Sequence, residues 1–310
     1  MGNKNRVIMK LIKEKNKKLG FTLIEMSIVI LIISTLVIVV AGSSQILNTI
    51  QLSNARSLTK ASPVSGMSNL VIWYESTMED SFLEDDVISE RISVWNNLSP
   101  LEQNIHRATQ GVLGNQPTYS AGAINSLPAV SFNFFSQQHL NFDGSFLANS
   151  DYTVAVVERR RRGSISNYFI AGNSATANES LSLGYKNPSQ IHFSQQSNNY
   201  IIPVTTYSSS NLVPRIHIFR FSSTIGKNYF CYQNGGILNG SNPQTLNEDG
   251  APNQMQGLSA ANSQTIGRYL ITGYYQGDIG EIIIFDKYIN DGDRENLEIY
   301  LSKKWGIDLN

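Results

Sequence analysis

The residue with the strongest chemical demand in this chain is Glu25. It is the fifth residue of an aliphatic run, Phe21-Thr22-Leu23-Ile24-Glu25-Met26-Ser27-Ile28-Val29-Ile30-Leu31-Ile32-Ile33, which continues to Ala41. A helix needs about 20 predominantly apolar residues to cross a bilayer, and this run with its flanks meets that length. An ionised carboxylate in hydrocarbon costs about 2.5 to 3.5 kcal/mol and is normally paired or functional. If the chain is cut after Gly20, the new amine at Phe21 supplies a partner, most usefully between neighbouring subunits.

A second group with chemical potential is Arg159-Arg160-Arg161-Arg162, after the candidate strand ending at Glu158 and before Gly163. Four consecutive cations on a loop repel each other. They read either as a solvated turn or as an anionic patch for polysaccharide, lipid headgroups or an acidic partner. Enzyme signatures are missing: there is no nucleophile elbow, phosphate loop or dinucleotide fingerprint. Glu281 and Asp286 are five apart on a candidate strand and so face opposite sides, which argues against a shared acid and nucleophile role. The histidines His106, His139, His192 and His217 show no metal-ligand spacing. No enzymatic activity, cofactor or metal is expected. Calcium is the remaining ligand question, at Asn247-Glu248-Asp249-Gly250 and Asn290-Asp291-Gly292-Asp293, although neither fits a fixed calcium-loop spacing and turn or cap roles explain both. Tyr185, Tyr200, Tyr274 and Tyr275 near Asn- and Gly-rich loops could stack on sugars or fill a core. The single cysteine, Cys231, excludes an intramolecular disulfide and reads as a small buried hydrophobe.

A basic leader ending in Gly20, then Phe21-Thr22-Leu23-Ile24-Glu25 and the aliphatic run, resembles the N-terminus of type IV pilins and type II secretion pseudopilins. The resemblance implies cleavage after Gly20 by a prepilin peptidase, N-methylation of Phe21, and pairing of Glu25 with the terminal amine of an adjacent subunit. Many such proteins carry Pro where Gly42 stands, and either residue weakens a helix, Gly by about 1 kcal/mol against Ala. Gly42 is thus a candidate helix break. The competing reading is a secretory signal cut after Val39-Val40-Ala41, which would release a soluble protein. A Glu at the edge of the apolar run is a poor feature for such a signal.

The elements that must position these groups follow from composition. Residues 1–20 form the leader, in which Lys4, Arg6, Lys10, Lys13, Lys15, Lys17 and Lys18 face only Glu14. Such flanking cations hold the leader in the cytoplasm and send the remainder across the inner membrane. Removing those seven basic and one acidic residues from totals of 24 and 24 leaves 17 and 23, a formal charge of −6. That acidic balance argues against nucleic-acid binding through a broad basic field. Residues 21–60 contain no proline and read as one transmembrane and assembly helix, its second half amphipathic enough to pack on a head or on another subunit. Residues 61–69 form a linker around Pro63 and Gly66.

From 70 to 310 the grammar is all-β. Ten candidate strands, among them Leu70 to Glu75, Tyr152 to Glu158, Arg215 to Ser222 and Asp278 to Asp286, favour two packed antiparallel layers. Asn234-Gly235 reads as a hairpin turn. Residues 294–305 read as a C-terminal helix with Leu297, Tyr300, Leu301 and Trp305 on one face. Asp291 or Asp293 would cap it, Lys303 and Lys304 would favour its C-terminal end, and Gly306 would close it. The fold class is therefore α+β, a long N-terminal helix followed by an antiparallel sandwich and a short C-terminal helix.

The ending Gly277-Asp278-Ile279-Gly280-Glu281, then Tyr300-Leu301-Ser302-Lys303-Lys304-Trp305-Gly306, resembles bacterial concanavalin A-like, laminin G-type jelly-roll domains. Leu70-Val71-Ile72-Trp73-Tyr74 and Thr265-Ile266-Gly267 agree with it. The resemblance implies a jelly-roll head and a structural role for Glu281. With the N-terminal likeness it implies a membrane-inserted, filament-forming subunit whose partners are prepilin peptidase, other subunits and inner-membrane lipid. The head would meet carbohydrate or protein at the cell exterior. A secreted or membrane-anchored carbohydrate-binding protein that does not polymerise is the alternative.

Overall fold

The structure, a computed structural model, describes residues 23–102, 105–162, 167–197, 199–204, 212–223, 228–238, 257–260 and 263–310. Of the side chains within these, 23, 35–45 and 228–229 are outside the description. The leader, Gly20 and Phe21 therefore lie outside the described residues, as does Asn247-Glu248-Asp249-Gly250.

Two compact units divide the chain, residues 1–49 and 50–310. In the first, the described backbone belongs to a helix assigned over Leu23–Lys60, 38 residues or about 57 Å of rise. The assignment runs through Gly42 without interruption, so the expected break is not present. A single Gly costs about 1 kcal/mol, which a long aliphatic helix absorbs. Ile24, Ile28, Leu31 and Ile33 stand exposed along it. The interspersed hydroxyls are satisfied within the helix: Ser27 Oγ donates to Ile24 O at 2.8 Å and Ser34 Oγ to Ile30 O at 2.7 Å. Among the described residues no helix is long and apolar enough to cross a membrane. The expected span, 21–41, lies partly outside them.

The second unit begins inside the helix, at Ile50, rather than after the expected 61–69 linker. Ala55, Leu58 and Val64 belong to an apolar cluster of the head, which explains the amphipathic second half of the helix. Arg56 Nε donates to Thr77 O at 2.7 Å and its guanidinium meets Glu79 at 2.6 Å. The helical stretch 50–60 is thus a packed element of the head.

The strands, in chain order, are β1 Leu70–Glu75, β2 Val94–Trp95, β3 Ala108–Thr109, β4 Thr118–Ile124, β5 Leu127–Phe132, β6 Leu140–Asp143, β7 Tyr152–Arg160, β8 Asn167–Gly172, β9 Leu181–Asn187, β10 Gln190–Gln195, β11 Asn199–Pro203, β12 Arg215–Ser222, β13 Asn228–Gln233, β14 Gly236–Ile237, β15 Ser263–Ile266, β16 Arg268–Tyr269, β17 Gly273–Tyr274 and β18 Gly277–Phe285. Among the described residues they pair antiparallel. One sheet runs β14-β13-β12-β7-β18-β5-β4, with β1 also on β18; the other runs β11-β10-β9-β8-β15-β6-β3-β2.

Alternation along the central strands sorts the core into two layers. Val154 and Val156 of β7, with Ile282 and Ile284 of β18, face the second sheet and join Phe169, Phe193, Phe219 and Cys231. Ala155, Val157 and Ile283 face the other way, where the C-terminal helix Asp291–Trp305 packs Leu297, Leu301 and Trp305 against them. Strands buried on both faces read as continuous apolar runs, which is why β18 stood out in the sequence.

Local chemistry sets the details. Asn234 at φ 48° and Gly235 at φ 83° form the β13–β14 turn, as their types require. The C-terminal helix is capped by Asn290, whose Oδ1 accepts from Asp293 N at 2.8 Å, and not by Asp291 or Asp293 as expected. Gly306, left-handed at φ 61°, closes it. Gly280 sits where a Cβ would come within 2.5 Å of the Trp305 ring, so only glycine lets that indole lie against the strand.

Candidate functional site

The expected assembly carboxylate, Glu25, is exposed on the helix among exposed aliphatic side chains. Its proposed partner residues Gly20 and Phe21 are outside the described residues.

The arginine run straddles the end of a strand: Arg159 and Arg160 end β7, whereas Arg161 and Arg162 follow it, and the four side chains find partners on two sides. On one face Arg159 Nε donates to Asp278 Oδ2 at 2.9 Å, and the Arg161 guanidinium meets Asp278 Oδ1 at 3.2 Å. Ser131 Oγ donates to the same carboxylate at 2.5 Å. On the other face Arg160 is buried, its guanidinium 4.2 Å from the centre of the Tyr185 ring. Arg162 lies 5.3 Å from the Phe134 ring and 5.2 Å from the Phe135 ring. The solvated-turn expectation fails because a strand continued to Arg160 gives each cation a carboxylate, carbonyl or ring partner.

Beside Arg161 a polar groove of about 480 Å³ runs over β4 and β5, lined by Arg91, Thr118, Ser131, Asn133, Gln138 and Arg161 among others. Asn133 and Gln138 each commit the amide oxygen to a backbone N–H, of Phe135 at 2.9 Å and of Asn133 at 2.8 Å. Phe135, 76% exposed, lies in the chain between the lining residues Asn133 and Ser136 and is edge-on to Phe134. The sequence reading passed over this site. Its one visible clue was two adjacent phenylalanines in the polar stretch Asn133-Phe134-Phe135-Ser136-Gln137-Gln138. The tyrosines considered for sugar stacking do not serve: Tyr185, Tyr200, Tyr274 and Tyr275 are all buried.

Two charged networks lie inside the head. In the first, Glu75 and Glu281 are cross-strand partners on β1 and β18, and both receive the Lys304 ammonium, at 2.8 Å for Glu281. Trp73 Nε1, Tyr300 OH and Trp305 Nε1 also donate to Glu281, at 2.6, 2.8 and 2.8 Å. This is a carboxylate pair that spacing did not reveal, because Glu75 is 206 positions from Glu281 in the chain. Lys304 is turned into it rather than toward the helix terminus. The structural role expected for Glu281 is what its burial and four donors describe. Asp286 is not part of the network.

In the second, Glu158 accepts from Tyr185 OH at 2.7 Å, Tyr275 OH at 2.5 Å and His217 Nε2 at 3.1 Å. Burial pushes His217 below its usual value, and only in part do the bond and charge of Glu158 oppose it. A neutral ring with its proton on Nε2 also fits the bare, buried Nδ1. Burial would raise Glu158, but the hydrogen bond from His217, the charge of Arg215 and the Tyr275 hydroxyl together hold it below the usual range.

Asp291 binds Arg220 at 2.8 Å, so this Asn-Asp-Gly-Asp cluster serves the helix start. Among the described residues no group of three or more His, Cys, Asp or Glu is arranged to hold a metal ion.

The head can be compared with solved structures. The binding domain of Paraclostridial Mosquitocidal Protein 1 superposes with a TM-score of 0.50 at 15% identity, over 77% of this chain and 55% of that one. Domain 4 of an extracellular arabinanase from Geobacillus stearothermophilus, solved with arabinotriose, gives 0.46 at 13% identity, over 76% of this chain and 98% of that one. Trypanosoma rangeli sialidase gives 0.44 at 13% identity, over 79% of this chain and 34% of that one. At these identities the likeness concerns the sandwich fold alone. No curated protein matches the chain. At the other end, residues 15–41 match the prokaryotic N-terminal methylation motif, the segment that contains Gly20, Phe21 and Glu25.

Proposed function

We propose that the chain is a type IV pilin-like or pseudopilin-like subunit whose sandwich head binds carbohydrate outside the cytoplasm. The observation that carries this reading is the methylation motif over residues 15–41 joined, through one helix, to a separate β-sandwich unit. Prepilin peptidase cuts after Gly20, and Phe21 becomes the methylated first residue. The subunit waits in the inner membrane with its helix among lipid. In the filament the Phe21 amine pairs with Glu25 of a neighbour, setting opposite charges together within an apolar helix bundle.

The head is proposed to bind rather than catalyse. The cross-strand carboxylate pair Glu75 and Glu281 has side chains with no solvent exposure and is saturated by donors, so neither a water nor a sugar reaches it.

Mass spectrometry of the mature N-terminus tests the processing step. A methylated Phe21 is expected. A chain beginning at Gly42, as after a signal peptidase cut, or one still carrying residues 1–20, would refute it. For assembly, Glu25→Ala is expected to keep insertion and cleavage while filament incorporation falls at least tenfold by pulldown; normal incorporation would remove Glu25 from the mechanism.

A further inference from the structure

We infer that the groove over β4 and β5 is the carbohydrate site of the head and that its ligand is an acidic oligosaccharide bearing ring carboxylates. This rests on the proposed carbohydrate-binding role and adds the place and the class of sugar.

The groove carries two arginines against one acid, with amides and hydroxyls between them. Asp278 is 1% exposed in its side chain and takes up two guanidinium groups together with the Ser131 hydroxyl. One carboxylate against two cations leaves a unit of positive charge, and Arg161, 35% exposed, is the member on the groove wall. Arg91, which bridges to Thr118 of β4, is exposed in the same lining, with Glu90 as its single acid. Asn133 and Gln138 have spent their carbonyl oxygens on backbone N–H groups, and their NH2 groups make no hydrogen bond among the described residues. The lining thus offers guanidinium and amide N–H as donors, hydroxyls of Thr118, Tyr119, Ser120 and Ser136 that can act either way, and the Glu90 carboxylate as its one acidic acceptor.

Such a wall is poorly matched to a neutral sugar, whose hydroxyls present donors as well as acceptors. A carboxylate offers two oxygens and about four lone-pair sites, and planar guanidinium binds it in the strongest geometry. Arginine on a strand end is also held in place, so little side-chain freedom is lost on binding. The mature chain carries a formal charge of −6, so a positive groove on it attracts anions locally against the overall field. One residue before the lining residue Ser136, Phe135 presents a large exposed ring beside the Arg162 guanidinium, a platform on which the apolar face of a pyranose can rest. Exposed aromatic surface next to donor-rich surface is what a charged sugar ring, apolar on one face and anionic at its edge, would select.

The test uses the full chain in detergent micelles and two probes of equal length, tetragalacturonate and maltotetraose, titrated calorimetrically at about 0.15 M salt, where long-range attraction is screened beyond about 8 Å. Tetragalacturonate is expected to bind at least tenfold more tightly than maltotetraose. Phe135→Ala and Arg161→Gln are each expected to weaken it at least tenfold. Phe135 supports nothing in the core, so that variant keeps its melting temperature. In Arg161→Gln the Asp278 carboxylate keeps Arg159 and Ser131, so the head stays folded with a lowered melting temperature. A heparin tetrasaccharide arm separates sulfate from carboxylate: preference for it by tenfold or more would overturn the assignment of ring carboxylates. Tetragalacturonate binding that survives both substitutions overturns the groove. Maltotetraose bound more tightly, and unaffected by either substitution, leaves a carbohydrate-binding head standing while removing this site. Binding of none of the three probes overturns the site and counts against the proposed role as well.

Discussion

Replacing Lys304 with Met removes one ammonium from between two buried carboxylates while keeping most of the apolar stem. Breaking a buried ion pair by deleting one partner costs about 3 to 5 kcal/mol, because the other charge is left without compensation. Here two carboxylates are affected, Glu75 and Glu281, both with side chains fully removed from solvent. Each keeps other donors: Thr77 N at 2.8 Å and Met78 N at 2.7 Å for Glu75, and two indoles and a phenol for Glu281. Those neutral bonds hold the expectation at the lower end, about 3 kcal/mol, or roughly 6 to 12 °C in melting temperature for a unit of this size. Tryptophan fluorescence during urea unfolding of the full chain is the natural assay. Trp73 and Trp305 donate to Glu281, and Trp95 Nε1 donates to Glu75 O at 2.9 Å, so all three indoles of the protein report on this network. Adding Glu75→Gln and Glu281→Gln to Lys304→Met should restore at least half of the loss, since no charge is then left buried. A loss below about 1 kcal/mol in the single variant would refute the reasoning, by showing that the neutral donors suffice.

Acid should weaken the head through the Glu158–His217 pair. His217 is held below its ordinary value of 6.5 and Glu158 below its ordinary 4.5, so the unfolded chain binds the extra protons in both cases. The stability is present above about pH 6.5 and is lost first as His217 of the unfolded chain titrates, then further below 4.5. His217→Asn should flatten the upper part of that dependence in urea midpoints measured from pH 7.5 to 5.5, and an unchanged slope would contradict it. Gly280→Ala should cost about 1 to 3 kcal/mol, because the new methyl meets the Trp305 ring; a midpoint within 0.3 kcal/mol of the parent would mean the indole shifts freely. Arg56→Ala should cost less than about 1 kcal/mol by the same measurement, since the Glu79 partner is 80% exposed; a larger loss would give the Thr77 carbonyl bond the greater weight.

The legible parts of this molecule are those in which one local rule acts alone. β1 and β12 were bounded correctly from their apolar content, and the Asn234-Gly235 turn from the demand for positive φ. Gly306 was readable for the same reason. Strands β2, β3, β4, β11 and β15 were not, because each is short or polar and is held as a strand by its neighbours rather than by its own side chains. Half of the arginine run, Arg159 and Arg160, lies on β7 rather than in the loop the sequence suggested, and nothing local announces that Asp278, more than a hundred residues away, pairs with Arg159 and Arg161. Glu75 escaped notice for the same reason: a charge at the end of an apolar strand looks like an exit to solvent until Lys304 is brought to it. The groove is a meeting of β4, β5 and the end of β7, so no contiguous stretch could spell it.

Cys231 lies fully buried among aromatic side chains, and burial pushes its thiol well above the ordinary value. A thiol in that state is almost never thiolate and is out of reach of maleimides or oxidised glutathione. The native protein is therefore silent toward sulfhydryl reagents while folded. Any cysteine introduced on the surface would be the one reactive thiol of the chain, so the assembly proposed for it could be charted by cross-linking without first removing a native thiol.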